Sequence, residues 1–279
     1  MMRHPVLNYA LNPKYGTVLP DRHIRSSHMT TTGFDSPVFD DDPILGRFVA
    51  YFPSYRLRLL IIGGLLYGIP VLVLQVLLAN VEGASVLIIG SYAGIALLVG
   101  WYVLHLWNRE VIVYENGFTY RQGSQIGYFR FVDITRIHQH AERVSYFGIF
   151  KRDVITYTLH TDQAEVLHVN AVYKDVAKLG LLLESKITAA RQPIVEAQLE
   201  AGKLVEFGSL TMTDKGLRYA EHVLAWDDFG KVAIERGALR LLDHNQVEHV
   251  SIPLAELDNL MLLVKLLRDH QPTAESTPA

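Results

Sequence analysis

Cysteine is absent from all 279 residues, which excludes disulfide staples, thiolate nucleophiles and cysteine-based zinc sites together. An excess of one charge is missing as well. The 26 Lys and Arg stand against 29 Asp and Glu, a formal net charge of −3, so there is no global drive toward nucleic acid. The chain also lacks a Gly-rich phosphate loop, an HExxH pair and a nucleophile elbow. The acid pair in Trp226-Asp227-Asp228 is expected in a strand, where neighbouring side chains point to opposite faces and cannot flank one bond. These gaps leave nothing to carry catalysis, and the expectation is a non-enzyme with no cofactor and no resident metal.

What the chain does have is apolar residues in bulk, 49% of the total, concentrated where a membrane needs them. Residues 59–107 hold no charge except Glu82. Within them Leu59–Asn80 and Ala84–Trp107 each exceed the roughly 20 residues that carry a helix across about 30 Å of hydrocarbon. Only Val81-Glu82-Gly83 separates them, so the pair reads as an antiparallel transmembrane hairpin. Arg47, Arg56, Arg58 and Arg109 cluster near its outer ends, and the positive-inside rule then puts both termini in the cytoplasm. Trp101, Tyr102 and Trp107 fit an aromatic belt at that interface. Gly64/Gly68 and Gly90/Gly94 form small-xxx-small pairs that let helix backbones approach closely in lipid, although glycine is also simply common in membrane helices. Gln75 and His105 are the only strongly polar side chains in the spans, too few for a transport pathway. The hairpin reads as an anchor. Before it, residues 1–44 are polar and turn-rich, a disordered cytoplasmic tail with no cleavable leader. Residues 45–58 read as an interfacial segment, and residues 271–279 as a second disordered tail.

The remainder repeats itself. Residues 108–191 contain Asn116-Gly117-Phe118-Thr119-Tyr120, then Phe131-Val132-Asp133-Ile134, then His168-Val169-Asn170. Residues 192–270 contain Lys215-Gly216-Leu217-Arg218-Tyr219, Trp226-Asp227-Asp228-Phe229 and His249-Val250-Ser251 in the same order. Period-two alternation around each Gly predicts strands joined by tight turns, with Asn-Gly and Lys-Gly supplying positive φ. Val176, Leu179, Leu183 and Ile187 predict a closing helix in the first half, ending near Arg191. Leu257, Leu260, Val264 and Leu267 predict its counterpart, starting near Ser251 and Pro253.

A strand-rich unit with a Gly turn, an aromatic-x-Asp-hydrophobic element and one closing helix resembles the bacterial pleckstrin-homology-like domain. From about Ile44 to His270 the chain is similar to an uncharacterised bacterial membrane-protein family in which a transmembrane hairpin precedes two such units. The resemblance implies an α+β fold with a membrane anchor, each unit a bent β-sandwich or partial barrel plugged by its helix. It also implies a binding platform for lipids, peptides or proteins at the plasma membrane. The first hairpin lacks the Lys-x(n)-Arg-x-Arg cluster of lipid-binding members, which argues against specific phosphoinositide recognition.

The halves differ most between the landmark Asp and the His-Val strand, where the first carries about 14 extra residues near His138–Lys151. Residues 121–152 hold six basic side chains against two acidic, while 191–270 hold nine against thirteen. Arg143, Tyr146, Phe147, Phe150, Lys151 and Arg152 are therefore the candidate surface for anionic lipid headgroups or a protein partner, each cation near a membrane contributing about 1 kcal/mol. The competing reading has the aromatics completing the core of a longer hairpin and the charges forming a solvated face. His138-Gln139-His140 is a weak metal pattern without nearby acids. A second class of function also fits the sequence, that of a structural accessory subunit whose glycine pairs pack against neighbouring spans. Exposed sheet edges offer a third route, strand addition by a peptide.

Overall fold

The computed structural model describes residues 9–11, 18–20, 40–79, 85–146 and 150–271. The chain divides into two compact units, residues 1–130 and 131–279.

In the first unit, β1 (Tyr9–Leu11) and β2 (Val18–Pro20) pair antiparallel inside the stretch expected to be a disordered tail. Two short apolar runs supply a pairing that the polar composition around them conceals. The end of that stretch is also ordered. Asp42 Oδ1 accepts the Ile44 and Leu45 amides at 2.9 and 3.1 Å, an Asx turn that seats Leu45 at 1% exposure. Then come β3 (Phe48–Pro53), α1 (Arg56–Leu78), α2 (Ser85–Trp107), β4 (Glu110–Tyr114), β5 (Gly117–Gln122) and β6 (Gln125–Arg130). The four strands form one antiparallel sheet in the order β3-β4-β5-β6.

Segment 45–58, expected to be an interfacial segment, contains the sheet strand β3 and the start of α1. Pro53 pairs with Glu110 and Phe52 with Val111, so the helical hairpin is the connection between two neighbouring strands. Aromatic and β-branched side chains favour the pleated conformation, but Pro53 and the short length hid the strand. Both helices are long and apolar enough to cross a membrane, and almost none of either apolar window is buried within the protein. They meet where Gly63 lies against Val103 and Val99. Residues 81–83, expected to form the turn, lie outside the described residues.

The second unit opens with a 3-10 turn (Phe131–Asp133). β7 (Ile134–Tyr146), β8 (Phe150–Thr161) and β9 (Val166–Val169) follow as a three-stranded antiparallel sheet. α3 (Val176–Glu200) comes next, then the four-stranded sheet β10 (Val205–Phe207), β11 (Leu210–Thr213), β12 (Gly216–Tyr219), β13 (His222–Ala225). A second 3-10 turn (Trp226–Asp228) leads to β14 (Phe229–Glu235), β15 (Ala238–Asp243) and β16 (Glu248–Pro253), and α4 (Leu260–Asp269) closes the chain.

Along the chain, the order four-stranded sheet, 3-10 turn, three-stranded sheet, helix occurs twice. Its first occurrence begins with β3, ahead of the helical hairpin. At the corresponding place in the second, between β10 and β11, stand only Gly208 and Ser209.

Three local expectations change. Trp226-Asp227-Asp228 is a 3-10 turn rather than a strand. Ser251 and Pro253 lie in β16, and Leu257 precedes α4, because Asn259 takes a left-handed φ of 50° and starts the helix after it. α3 does not stop near Arg191 but continues through Pro193 to Glu200. Its Leu179, Leu183 and Ile187 are fully buried, and beyond the proline Val195 and Leu199 enter the core formed by Phe207, Leu210, Phe229, Ile252 and Leu263. That burial, about 1.5–3 kcal/mol per large apolar side chain, offsets the proline's missing bond.

Candidate functional site

Where the helices leave the first sheet, short bonds tie the two ends together. The Ser54 amide donates to Arg109 O at 2.9 Å and Ser54 Oγ to Trp107 O at 2.7 Å. Ser54 is buried at 3% exposure, so neither bond competes freely with water. The Arg56 guanidinium sits 5.4 Å from the Trp107 ring centroid, a cation–π contact at the helix base. Arg121 pairs with Glu110 at 3.1 Å, and Tyr51 donates to the same carboxylate at 3.1 Å. Burial, and then Glu110, push the Tyr51 hydroxyl above its ordinary pKa. Two residues therefore separate sheet from helix on either side, Ser54 and Tyr55 before α1 and Asn108 and Arg109 after α2.

The extra residues of the first half lengthen a hairpin. β7 and β8 are paired from Ile134 and Thr161 out to Tyr146 and Phe150, whereas the equivalent β14 ends at Glu235. The register sets Arg143 opposite Asp153, Val144 opposite Arg152, Ser145 opposite Lys151 and Tyr146 opposite Phe150. Five of the six expected surface residues thus share the last rungs of one ladder. Phe147 lies outside the described residues. Asp153, an acid directly across from Arg143, was not singled out in the sequence.

A second feature had no place among the expectations. Glu184 on α3 is buried at 6% exposure, and its Oε1 accepts the Met261 amide at 3.2 Å in the first turn of α4. A carboxylate there meets an unsatisfied helix N–H and the positive end of the helix dipole. Burial nonetheless raises its pKa, the Met261 bond pulling the other way. Glu184 lines a cleft of about 480 Å³ with Gln139, Ile234, Leu260, Met261, Val264, Lys265 and Arg268 among its walls. A smaller recess shares Gln139, Glu184 and Leu260 with it. The only sequence signal was an acid beside Leu183, inside the buried stripe of α3.

Next to this cleft Asn259 clamps the edge of β7. Its amide donates to Ile137 O at 2.8 Å, its Nδ2 to Thr135 O at 3.0 Å, and its Oδ1 accepts the Ile137 amide at 2.9 Å. At 7% exposure, it continues the ladder with side-chain atoms where another strand would add. Beside it His138 Nδ1 lies 3.1 Å from Asp258 Oδ1. Among the described residues no three His, Asp or Glu side chains come together as a metal site. His168 and His249 occupy the third strand of each three-stranded sheet, near Thr158 and Asp243 respectively.

The landmark glycines prove to be matters of space. A Cβ on Gly117 would strike the Phe129 carbonyl oxygen, and one on Gly216 the Leu224 carbonyl oxygen, at the same point of the two four-stranded sheets. Only Gly216, at φ 152°, has the positive φ expected of both. Among the described residues nothing lies within 4 Å of a Cβ added to Gly64, Gly68, Gly90 or Gly94.

Comparison with protein families matches residues 40–275 to a family described as "Family of unknown function (DUF6585)". The chain belongs to the DUF6585 family. The DUF6585 match spans from ahead of β3 to beyond α4, with the helical hairpin inside its bounds. Among the curated proteins and the solved structures no match is found.

Proposed function

We propose that this DUF6585 chain is a non-enzymatic binding platform, anchored in a bacterial plasma membrane by α1 and α2 with both termini in the cytoplasm. Its tandem pleckstrin-homology-like units receive a protein or anionic lipid headgroups. The observation that carries the reading is the helical hairpin standing as the β3–β4 connection, with Ser54 bonded to both Trp107 and Arg109. A flexible tether needs no such joint; a surface held at a fixed distance from the bilayer does. The bare apolar faces of the two helices support the anchor, since side chains such as Val86, Leu97 and Trp101 are more than two-thirds exposed. The repeated order of sheets, turn and helix supports the pleckstrin-homology-like reading of each half. The lengthened β7–β8 hairpin, with Arg143, Lys151 and Arg152 on its last rungs, is the assigned contact element.

Amide hydrogen exchange on the full-length protein in nanodiscs tests this. Nanodiscs of zwitterionic lipid are compared with nanodiscs containing anionic lipid. Protection over residues 138–156 should rise with anionic lipid, fall again with salt, and vanish when Arg143, Lys151 and Arg152 are all changed to Ala. Exchange that ignores lipid charge removes the lipid arm.

A second reading, the accessory subunit of a larger membrane complex, is favoured by Gly64, Gly68, Gly90 and Gly94, which no described residue approaches within 4 Å of an added Cβ. Purification in mild detergent separates the two: a stoichiometric integral partner lost on Gly68→Leu and Gly94→Leu supports the subunit, and a monomer or homo-oligomer the platform.

A further inference from the structure

Inside the second unit, the cleft between β7, α3 and α4 has walls of two kinds. Ile234, Leu260, Met261 and Val264 make them apolar, and Ile234 is 49% exposed. The buried Glu184 carboxylate is set among them, and no cation among the described residues lies within ion-pair distance of it. Its Oε1 accepts one backbone amide, and its other oxygen is not among the fully buried unpartnered atoms, so it opens onto the cleft. On the rim, Lys265 and Arg268 are exposed and form no ion pair among the described residues.

We infer that this cleft binds a peptide segment of a partner protein, placing an arginine or lysine side chain against Glu184, its apolar stem along Leu260, Met261 and Val264. Three observations commit the occupant. One wall carries a carboxyl group with an oxygen left for a ligand, which favours a cation and disfavours an acid. The walls are apolar over several side chains, which suits a cation on an aliphatic stem better than a bare metal ion. The rim sets Lys265 and Arg268 against Asp269, an excess of positive charge that disfavours free polyamines and favours a chain in which an acid neighbours the cation. Arginine suits the carboxyl group best, because its fork can satisfy a carboxylate and remains charged when desolvated. The cation also restores the ionised form that burial disfavours. Gln139 of the cleft shares β7 with Arg143, but occupancy of the cleft needs no lipid, so either reading can fail without the other.

The five methionines of the chain include Met261 in the cleft wall and Met212 in the core, and methyl-labelled methionine NMR of the full-length protein in nanodiscs reads both. The probes are the capped tetrapeptide Glu-Leu-Arg-Leu, the same peptide with neutral citrulline for arginine, and spermidine. The arginine peptide should move the Met261 methyl saturably, at least about tenfold tighter than the citrulline peptide, the gap between charge-assisted and neutral hydrogen bonds. Glu184→Gln should erase that difference with the Met212 methyl unmoved. Equal binding of the two peptides to the wild type overturns the inference without any variant. So does spermidine binding as tightly as the arginine peptide, or a preference for arginine that survives in Glu184→Gln.

Discussion

Changing Asn259 to Ala should release the edge of β7, and the size of the effect can be worked from three hydrogen bonds. The backbone bond from residue 259 to Ile137 O survives in principle, but both side-chain bonds go. The Ile137 amide then loses its acceptor in a site where Ile137 is 4% exposed, at about 1–3 kcal/mol for a stranded buried donor. Thr135 O loses the Nδ2 donor, about 1 kcal/mol more. Alanine must also hold φ 50°, which asparagine tolerates and alanine does not, for another 1 kcal/mol or so. The total of about 3–5 kcal/mol corresponds to amide exchange at Ile137 faster by roughly two to nearly four decades if local opening limits it. Asn259→Gly separates the parts, since glycine keeps the backbone at no strain and should recover about 1 kcal/mol relative to Ala. Hydrogen exchange on the full-length protein in nanodiscs, read at Ile137, is the assay. An Ile137 amide equally protected in wild type and Asn259→Ala, or identical behaviour of the Ala and Gly variants, would refute the clamp.

Gly180 faces the Tyr157 ring so closely that a Cβ would overlap it; Gly180→Ala should therefore cost a net ~1–3 kcal/mol of stability despite alanine's better helix propensity, read as a lower midpoint in thermal melts. Gly216→Ala drives a Cβ into the Leu224 carbonyl, and a similar loss is expected with weaker β12–β13 protection in hydrogen exchange. Glu184 has a folded pKa raised by burial, so the folded state holds a proton that the unfolded chain releases as pH climbs above the ordinary glutamate value. Stability conferred by this group is full at low pH and declines as pH rises through the folded pKa. Melts of wild type and Glu184→Gln from pH 4 to pH 8 should show the variant gaining relative to the wild type as pH rises; parallel curves would contradict it.

The parts of this architecture that were legible in the sequence are those with a long, regular signal. The hairpin spans needed only an uncharged run broken at Glu82, and the repeat was visible because Gly117 and Gly216 sit where a neighbouring carbonyl leaves no room for a side chain. The reason assigned to them, positive φ, holds for Gly216 alone. β3 was missed because its partner β4 lies beyond the whole helical hairpin, and pairing over such a separation leaves no local trace. The end of α3 was misplaced because a proline rule is local, while Val195 and Leu199 are held by a core that forms later in the chain. The site is less legible still. A longer β7–β8 hairpin followed from counting residues between landmarks, but Glu184 and Asn259 act through partners about 77 and 122 positions away, and such pairings are decided by topology rather than spacing.

The central claim is that the helical hairpin crosses a bilayer while the sheets that flank it in sequence stay on one side. The absence of cysteine makes this directly measurable with single introduced thiols, Glu82→Cys between the helices and Asp214→Cys in the exposed turn between β11 and β12. In intact spheroplasts treated with a membrane-impermeant maleimide, Glu82→Cys should label at once and Asp214→Cys only after lysis. Labelling of both thiols before lysis, or of Asp214→Cys alone, would contradict the account.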